Sequence, residues 1–210
     1  LIDFPVLVHL TSLNFDFSKA QGNGEDIRFY DSDDLTRLKH ETVSWDSSGQ
    51  EATVWVTPQQ IDGLSSTDFI WMYYGNATAQ PVTDAANVWD SNFVGVWHLN
   101  QEQSGTGNVG VYKDSTGTGN NGIDHVAATG QEGQVTDGQE FGTSDWIEIA
   151  HDASVDLTDS MTISFWIKPT SDSGTFNRVV EKGLWGYNDS YYFGGGNGTN
   201  DLTFYLNGQM

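Results

Sequence analysis

The chain has 210 residues, 37% of them hydrophobic and 13% aromatic, with eight Trp, enough to bury a core in one large domain or two small ones. Its formal charge is −21, from 29 Asp and Glu against eight Lys and Arg, a field that repels nucleic acid and anionic membranes. The absence of Cys excludes disulfides, thiolate metal sites and Cys nucleophiles, and no segment has the apolar length of a membrane span.

The pattern is that of short strands from the first residues onward. Strands are expected over Phe4–Leu10, Asp26–Tyr30, Leu38–Trp45, Ala52–Thr57 and Asp68–Tyr74. The turn formers Gly22, Gly24, Asp31, Asp33, Ser47, Gly49, Asp62 and Gly63 lie between them. Strands separated in this way, with no helical periodicity, predict a compact antiparallel sandwich over residues 1–80. Ile70, Trp71, Met72, Tyr73 and Tyr74 leave no polar face, so this strand is expected to be central and covered on both sides. Asp31-Ser32-Asp33-Asp34 imitates the start of an EF-hand loop. It lacks the Gly at position six and the Glu at position twelve, and reads better as a hairpin turn. Residues 81–92 form a linker, in which Thr83–Trp89 suits one short helical turn with Thr83 as N-cap.

A second unit is expected over residues 93–210. It opens on the strand-like run Phe93–Leu99 and passes through the Gly/Asn/Asp loop 114–122. Met161, Ile163, Phe165 and Ile167 alternate with Thr162, Ser164, Trp166 and Lys168, the period-two pattern of a half-buried strand. Leu202, Phe204 and Leu206 likewise alternate with Thr203, Tyr205 and Asn207. Gly105–Gly110 and Gly117–Gly122 both match G-x-G-x-x-G. Neither stands between a parallel strand and a helix, so both read as Gly-rich loops rather than phosphate cradles.

The candidate chemistry is sparse. None of the five His has zinc-helix spacing, and there is no Gly-x-Ser-x-Gly elbow. His9 and His98 lie in apolar strands and read as packing residues. Trp146 and Glu148 share a strand face, but no motif places the second carboxylate that glycoside hydrolysis needs. The excess of Asp is first of all turn chemistry. Beyond that, Asp114, Asn120, Asn121 and Asp145 lie on loops that can meet at one end of a sandwich and offer the oxygen donors Ca²⁺ takes. For sugar contact the candidates are Trp185, Tyr187, Asn188 and Asp189 in a polar Gly-rich segment, together with Trp97 and Trp166. Aromatic rings stack on flat sugar faces while polar groups fix orientation. For Trp97 and Trp166, packing between sheets is the stronger alternative.

Several of these runs together resemble one family. Val94–Leu99, Asp114–Gly117 with Asn120–Gly122, Gly138–Phe141, Asp145–Ile149, Met161–Pro169 and Val180–Gly183 resemble, in family order, the laminin G-like, concanavalin A-like lectin/glucanase modules. The chain lacks the Glu-x-Asp-x-x-Glu run of related glucanases. Phe4–Val8, Asp26–Phe29, Trp45 and Trp71–Asn76 resemble an uncharacterised bacterial domain that commonly precedes such modules.

The resemblance implies an all-β fold of two antiparallel β-sandwich (jelly-roll-like) units in tandem. The first is expected to lack an N-terminal strand, and the second is expected to be incomplete at its C-terminal end. It also implies a non-catalytic carbohydrate-binding or adhesive segment of a larger secreted or cell-surface bacterial protein, with polysaccharide or glycan as partner and Ca²⁺ as its cofactor. The alternatives are a structural spacer and a fragment of a polysaccharide-degrading hydrolase. Exposed strand edges invite self-association.

Overall fold

A computed structural model of the chain describes residues 1–102, 105, 107–157, 160–169, 178–183, 191–195 and 202–206. The chain divides into two compact units, Leu1–Ala150 and His151–Met210, and the described strands pair antiparallel throughout.

The first unit is built on a five-stranded sheet of β1 (Val6–Thr11), β2 (Arg28–Tyr30), β3 (Arg37–Asp46), β4 (Glu51–Thr57) and β5 (Trp71–Tyr73), in the order β1-β4-β3-β2-β5. The interior strand β4 is largely buried on both faces. Ala52, Val54 and Val56 face one core with Leu10, Leu38 and Phe29, and this core is closed by Phe15, Phe17 and Ile27 from the segment between β1 and β2. Burying a Val, Leu or Phe side chain contributes about 1.5–3 kcal/mol, so this layer dominates the stability of the sheet. Thr53, Trp55 and Thr57 face the other way. There Trp55 meets Trp89 edge to face at 5.3 Å, and the Thr57 hydroxyl donates to the Val88 carbonyl at 2.9 Å.

Local chemistry sets the connections. The Asp33 carboxylate accepts from the backbone N–H groups of Leu35 and Thr36, each at 2.9 Å, and turns the chain from β2 into β3. The 31–34 run is therefore a hairpin turn, as its missing EF-hand positions predict. Gly24 has φ +70°, and a Cβ there would stand 2.5 Å from the Trp45 ring, so this close approach requires glycine. Asp26, expected within a strand, is instead a buried clamp ahead of β2. It accepts from the backbone of Gln21, Gly75 and Asn76.

Three further sequence expectations in this part of the chain are corrected. β5 is not central but an edge strand, with Trp71 45% and Tyr73 46% exposed. Ile70, Met72 and Tyr74 pack against the core, and Trp71 and Tyr73 between them face outward. The helix α1 spans Ala85–Val88 and takes Asp84, not Thr83, as its N-cap. The Asp84 carbonyl accepts from Val88 N at 3.2 Å, and its side chain accepts from the side-chain amide of Asn87 at 2.8 Å rather than from the helix backbone. His9 is not a packing residue: it lies exposed on edge strand β1, with Nε2 2.9 Å from Glu51 Oε1.

The remainder of the first unit holds two antiparallel pairs, β6 (Gly122–His125) with β9 (Trp146–Ile149) and, between them in sequence, β7 (Ala128–Glu132) with β8 (Asp137–Glu140). The run Phe93–Leu99, read as a strand, forms no ladder and makes only the isolated bridge Trp97↔Asp114. In the second unit β10 (Arg178–Lys182), β11 (Tyr191–Gly195) and β12 (Leu202–Leu206) form one sheet. Residues 160–169 pair with no described strand in spite of their clean alternation, and Trp166 is 75% exposed. On β12 the faces are reversed from the expectation. Tyr205 is buried and stacks on Tyr192 at 5.1 Å, whereas Phe204 is exposed.

Candidate functional site

The loop 114–121 is organised by one carboxylate. Asp114 Oδ1 accepts from Val96 N at 3.0 Å and Thr116 N at 2.9 Å. Its Oδ2 accepts from the Thr118 hydroxyl at 2.6 Å and Asn120 N at 2.9 Å, and the Thr116 hydroxyl lies within reach of both oxygens. Burial alone would raise this carboxyl. The donors from Thr118, Val96 and Thr116 outweigh it and hold Asp114 below the usual carboxylate range. Asn121 Oδ1 accepts from Asp114 N, and Asn120 donates to the Val94 carbonyl. Three of the four residues expected to ligate Ca²⁺ therefore meet in one loop, but Asp114 there faces hydrogen-bond donors. The fourth, Asp145, closes its own turn by accepting from Gly142 N at 2.9 Å. Among the described residues, no group of three or more His, Asp or Glu side chains is gathered closely enough to hold a metal ion.

Beneath this loop lies a buried polar cluster that sequence reasoning missed. Glu41, on the Trp55 side of β3, accepts from Trp89 Nε1 at 2.9 Å and from the Ser115 hydroxyl at 2.5 Å. His98 Nε2 is 3.2 Å from the same carboxylate. Burial pushes Glu41 up, but His98, Ser115 and Trp89 together hold it below its ordinary value. A Glu in an alternating strand carries no signal of this kind, because its partners come from 48 and 74 residues away. The cluster fastens the sheet to the segment that follows it. His98, read as a packing residue, is half-buried, with the Glu41 carboxylate beside its ring as a partner that reading did not include. A second buried carboxyl, Asp124 on β6, accepts from the Tyr112 hydroxyl at 3.1 Å and Val126 N at 3.0 Å. Burial and Asp124 push the Tyr112 phenol well above its ordinary value.

The opposite face of β6 and β9 is open. The register pairs His125 with Trp146 and Ile123 with Glu148, so all four side chains share one face. The His125 imidazole stacks on the Trp146 indole at 4.2 Å and 18°. Glu148 Oε2 stands 3.6 Å from His125 Nε2, and that nitrogen has no hydrogen-bond partner among the described residues. Trp146 is 50% exposed. Alternation along the sequence places Trp146 and Glu148 on one face, and only the pairing register adds His125.

The expected sugar contacts fall unevenly. Trp97 is half-buried, with its ring folded over Gly95 and its indole N–H donating to the Asn120 carbonyl at 2.7 Å. Trp166 is exposed, so the packing alternative fails for it. Trp185, Tyr187, Asn188 and Asp189 lie outside the described residues. The glycines of the first G-x-G-x-x-G run border β6: Gly105 N donates to the Val126 carbonyl and Gly107 N to the Asp124 carbonyl. Their amides are thus used within the fold.

Comparison with known families agrees with the order read from the sequence. Residues 23–114 match a domain of unknown function (DUF2341), and residues 141–210 match the concanavalin A-like lectin/glucanases superfamily. The chain is thus similar first to a domain of unknown function and then to the lectin-like class. No curated protein and no solved structure matches it.

Proposed function

We propose that this chain is a non-catalytic carbohydrate-binding segment of a secreted or cell-surface protein. The observation that carries this reading is the match of residues 141–210 to the concanavalin A-like lectin/glucanases superfamily. The half-exposed Trp146, set beside a carboxylate on an open strand face, adds to it. Such a ring beside a hydrogen-bonding group suits a sugar, whose C–H face stacks while its hydroxyls are held. The formal charge of −21 argues against nucleic acid and anionic lipid as ligands, and no helix among the described residues is long and apolar enough to cross a membrane.

The test is a glycan array probed with the folded chain, in the presence and absence of Ca²⁺. Binding to a defined set of glycans, without release of reducing sugar from the same polysaccharides, is the expected result. An array silent under both conditions would overturn the reading in favour of a spacer, and sugar release abolished by Glu148→Gln would overturn it in favour of a hydrolase.

A further inference from the structure

We propose that the outward face of β6 and β9 is a stacking site for one uncharged pyranose unit. Trp146 is the platform, Glu148 its hydroxyl-binding group, and His125 the support that holds the indole in place. This deepens the carbohydrate-binding reading above and rests on it.

The argument starts with the ring. An exposed Trp on a strand usually has both faces of its indole free to swing. Here His125, its direct cross-strand partner, covers one face at 4.2 Å and fixes the plane. A ligand meets a ring already held in place, and ordering it on binding costs little. Glu148 is two residues further along the same face, with its side chain 55% exposed.

The polar groups then select the ligand. An ionised carboxylate accepts hydrogen bonds and donates none. His125 Nε2, 3.6 Å from Glu148 Oε2, is enclosed, so the exposed Glu148 carboxylate is the group that takes a sugar hydroxyl. Sugar hydroxyls and N-acetyl N–H groups supply such donors around a ring whose C–H face packs on indole. A uronate or sulfate would set a second negative charge beside Glu148, in a chain whose formal charge is already −21. Trp71, the comparable exposed Trp on edge strand β5, has Phe69 at its edge at 5.3 Å. The carboxylate nearby, Asp34, already accepts from the Tyr73 hydroxyl at 2.7 Å. Among the described residues, that surface has no second ring stacked on Trp71 to fix its plane, and its nearby carboxylate is already engaged by a phenol.

The test is calorimetric titration of the full chain, at physiological salt, with cellohexaose, mannohexaose, chitohexaose and hexagalacturonate. The chain is expected to bind at least one of the three uncharged oligosaccharides and to bind hexagalacturonate at least tenfold more weakly. Trp146→Ala should weaken binding at least tenfold and Glu148→Gln several-fold, while Trp71→Ala leaves it unchanged. If Trp146→Ala binds as the parent does, the site is wrong although the carbohydrate reading stands. Preference for hexagalacturonate overturns the proposed selectivity. Failure to bind any uncharged oligosaccharide overturns the site, and the glycan array then decides separately whether the broader reading survives. Should Trp146→Ala not fold, Glu148→Gln carries the test: unchanged affinity in that variant rejects the site.

Discussion

His40 makes the stability of the first unit depend on pH in a window where few other groups act. It lies on the core face of β3, buried, with its ring 5.4 Å from that of Phe29. Burial lowers its pKa from 6.5 to about 4, with the Arg28 and Arg37 charges assisting and Asp84 opposing. The folded value lies below the unfolded one, so the fold is at full stability above pH 6.5. As pH falls below that point the unfolded chain takes up a proton that the folded chain refuses until near pH 4. Each pH unit in this interval removes about 1.4 kcal/mol, so the total loss is about 3 kcal/mol. For a chain of this size that lowers Tm by about 6–12 °C. The assay is urea unfolding followed by circular dichroism at half-unit steps from pH 7 to pH 4.5, on the parent and on His40→Gln. The variant starts less stable, because it sets an amide in an apolar layer, but its stability should fall much less steeply with acid. Parallel curves for the two proteins across this window would refute the reasoning. The carboxylates held below their usual range, Asp26, Glu41 and Asp114, contribute stability that is lost only at lower pH, as each is protonated in the unfolded chain.

Other outcomes follow from the same geometry. Glu41→Ala strips the carboxylate from Trp89, Ser115 and His98 and should cost about 3–5 kcal/mol; a loss under about 1 kcal/mol in chemical denaturation would show that the cluster is not fastening the sheet. Asp114→Ala removes the acceptor of the 114–120 loop and should cost about 2–4 kcal/mol, whereas chelator treatment of the parent should leave Tm unmoved; a Tm drop that Ca²⁺ reverses would instead make Asp114 a metal ligand. Gly24→Ala should lower stability by about 1–3 kcal/mol, from its positive φ and the Trp45 ring against it, and Trp45→Leu should relieve part of that loss in a double-mutant cycle.

Much of the first sheet is legible from the chain alone. Period-two patterning over residues 6–11, 37–46 and 51–57, broken by Asp and Gly turns, predicts those strands to within a residue or two. Alternation also sets Trp146 and Glu148 side by side. Local pattern fails where the same residues satisfy two environments. An apolar run such as Ile70–Tyr74 suits a central strand, and it equally suits an edge whose aromatics face solvent. Order in the sheet, which depends on every other strand, decides between them. Residues 160–169 alternate as cleanly as β4 does, yet a ladder needs a partner strand, and none is supplied among the described residues. The family resemblance and the turn chemistry are properties of short segments, and the sequence determines them directly. The Glu41 cluster and the stacking of His125 on Trp146 are properties of register and long-range closure. Only the tertiary structure decides those, because the groups involved meet across tens of residues of intervening chain.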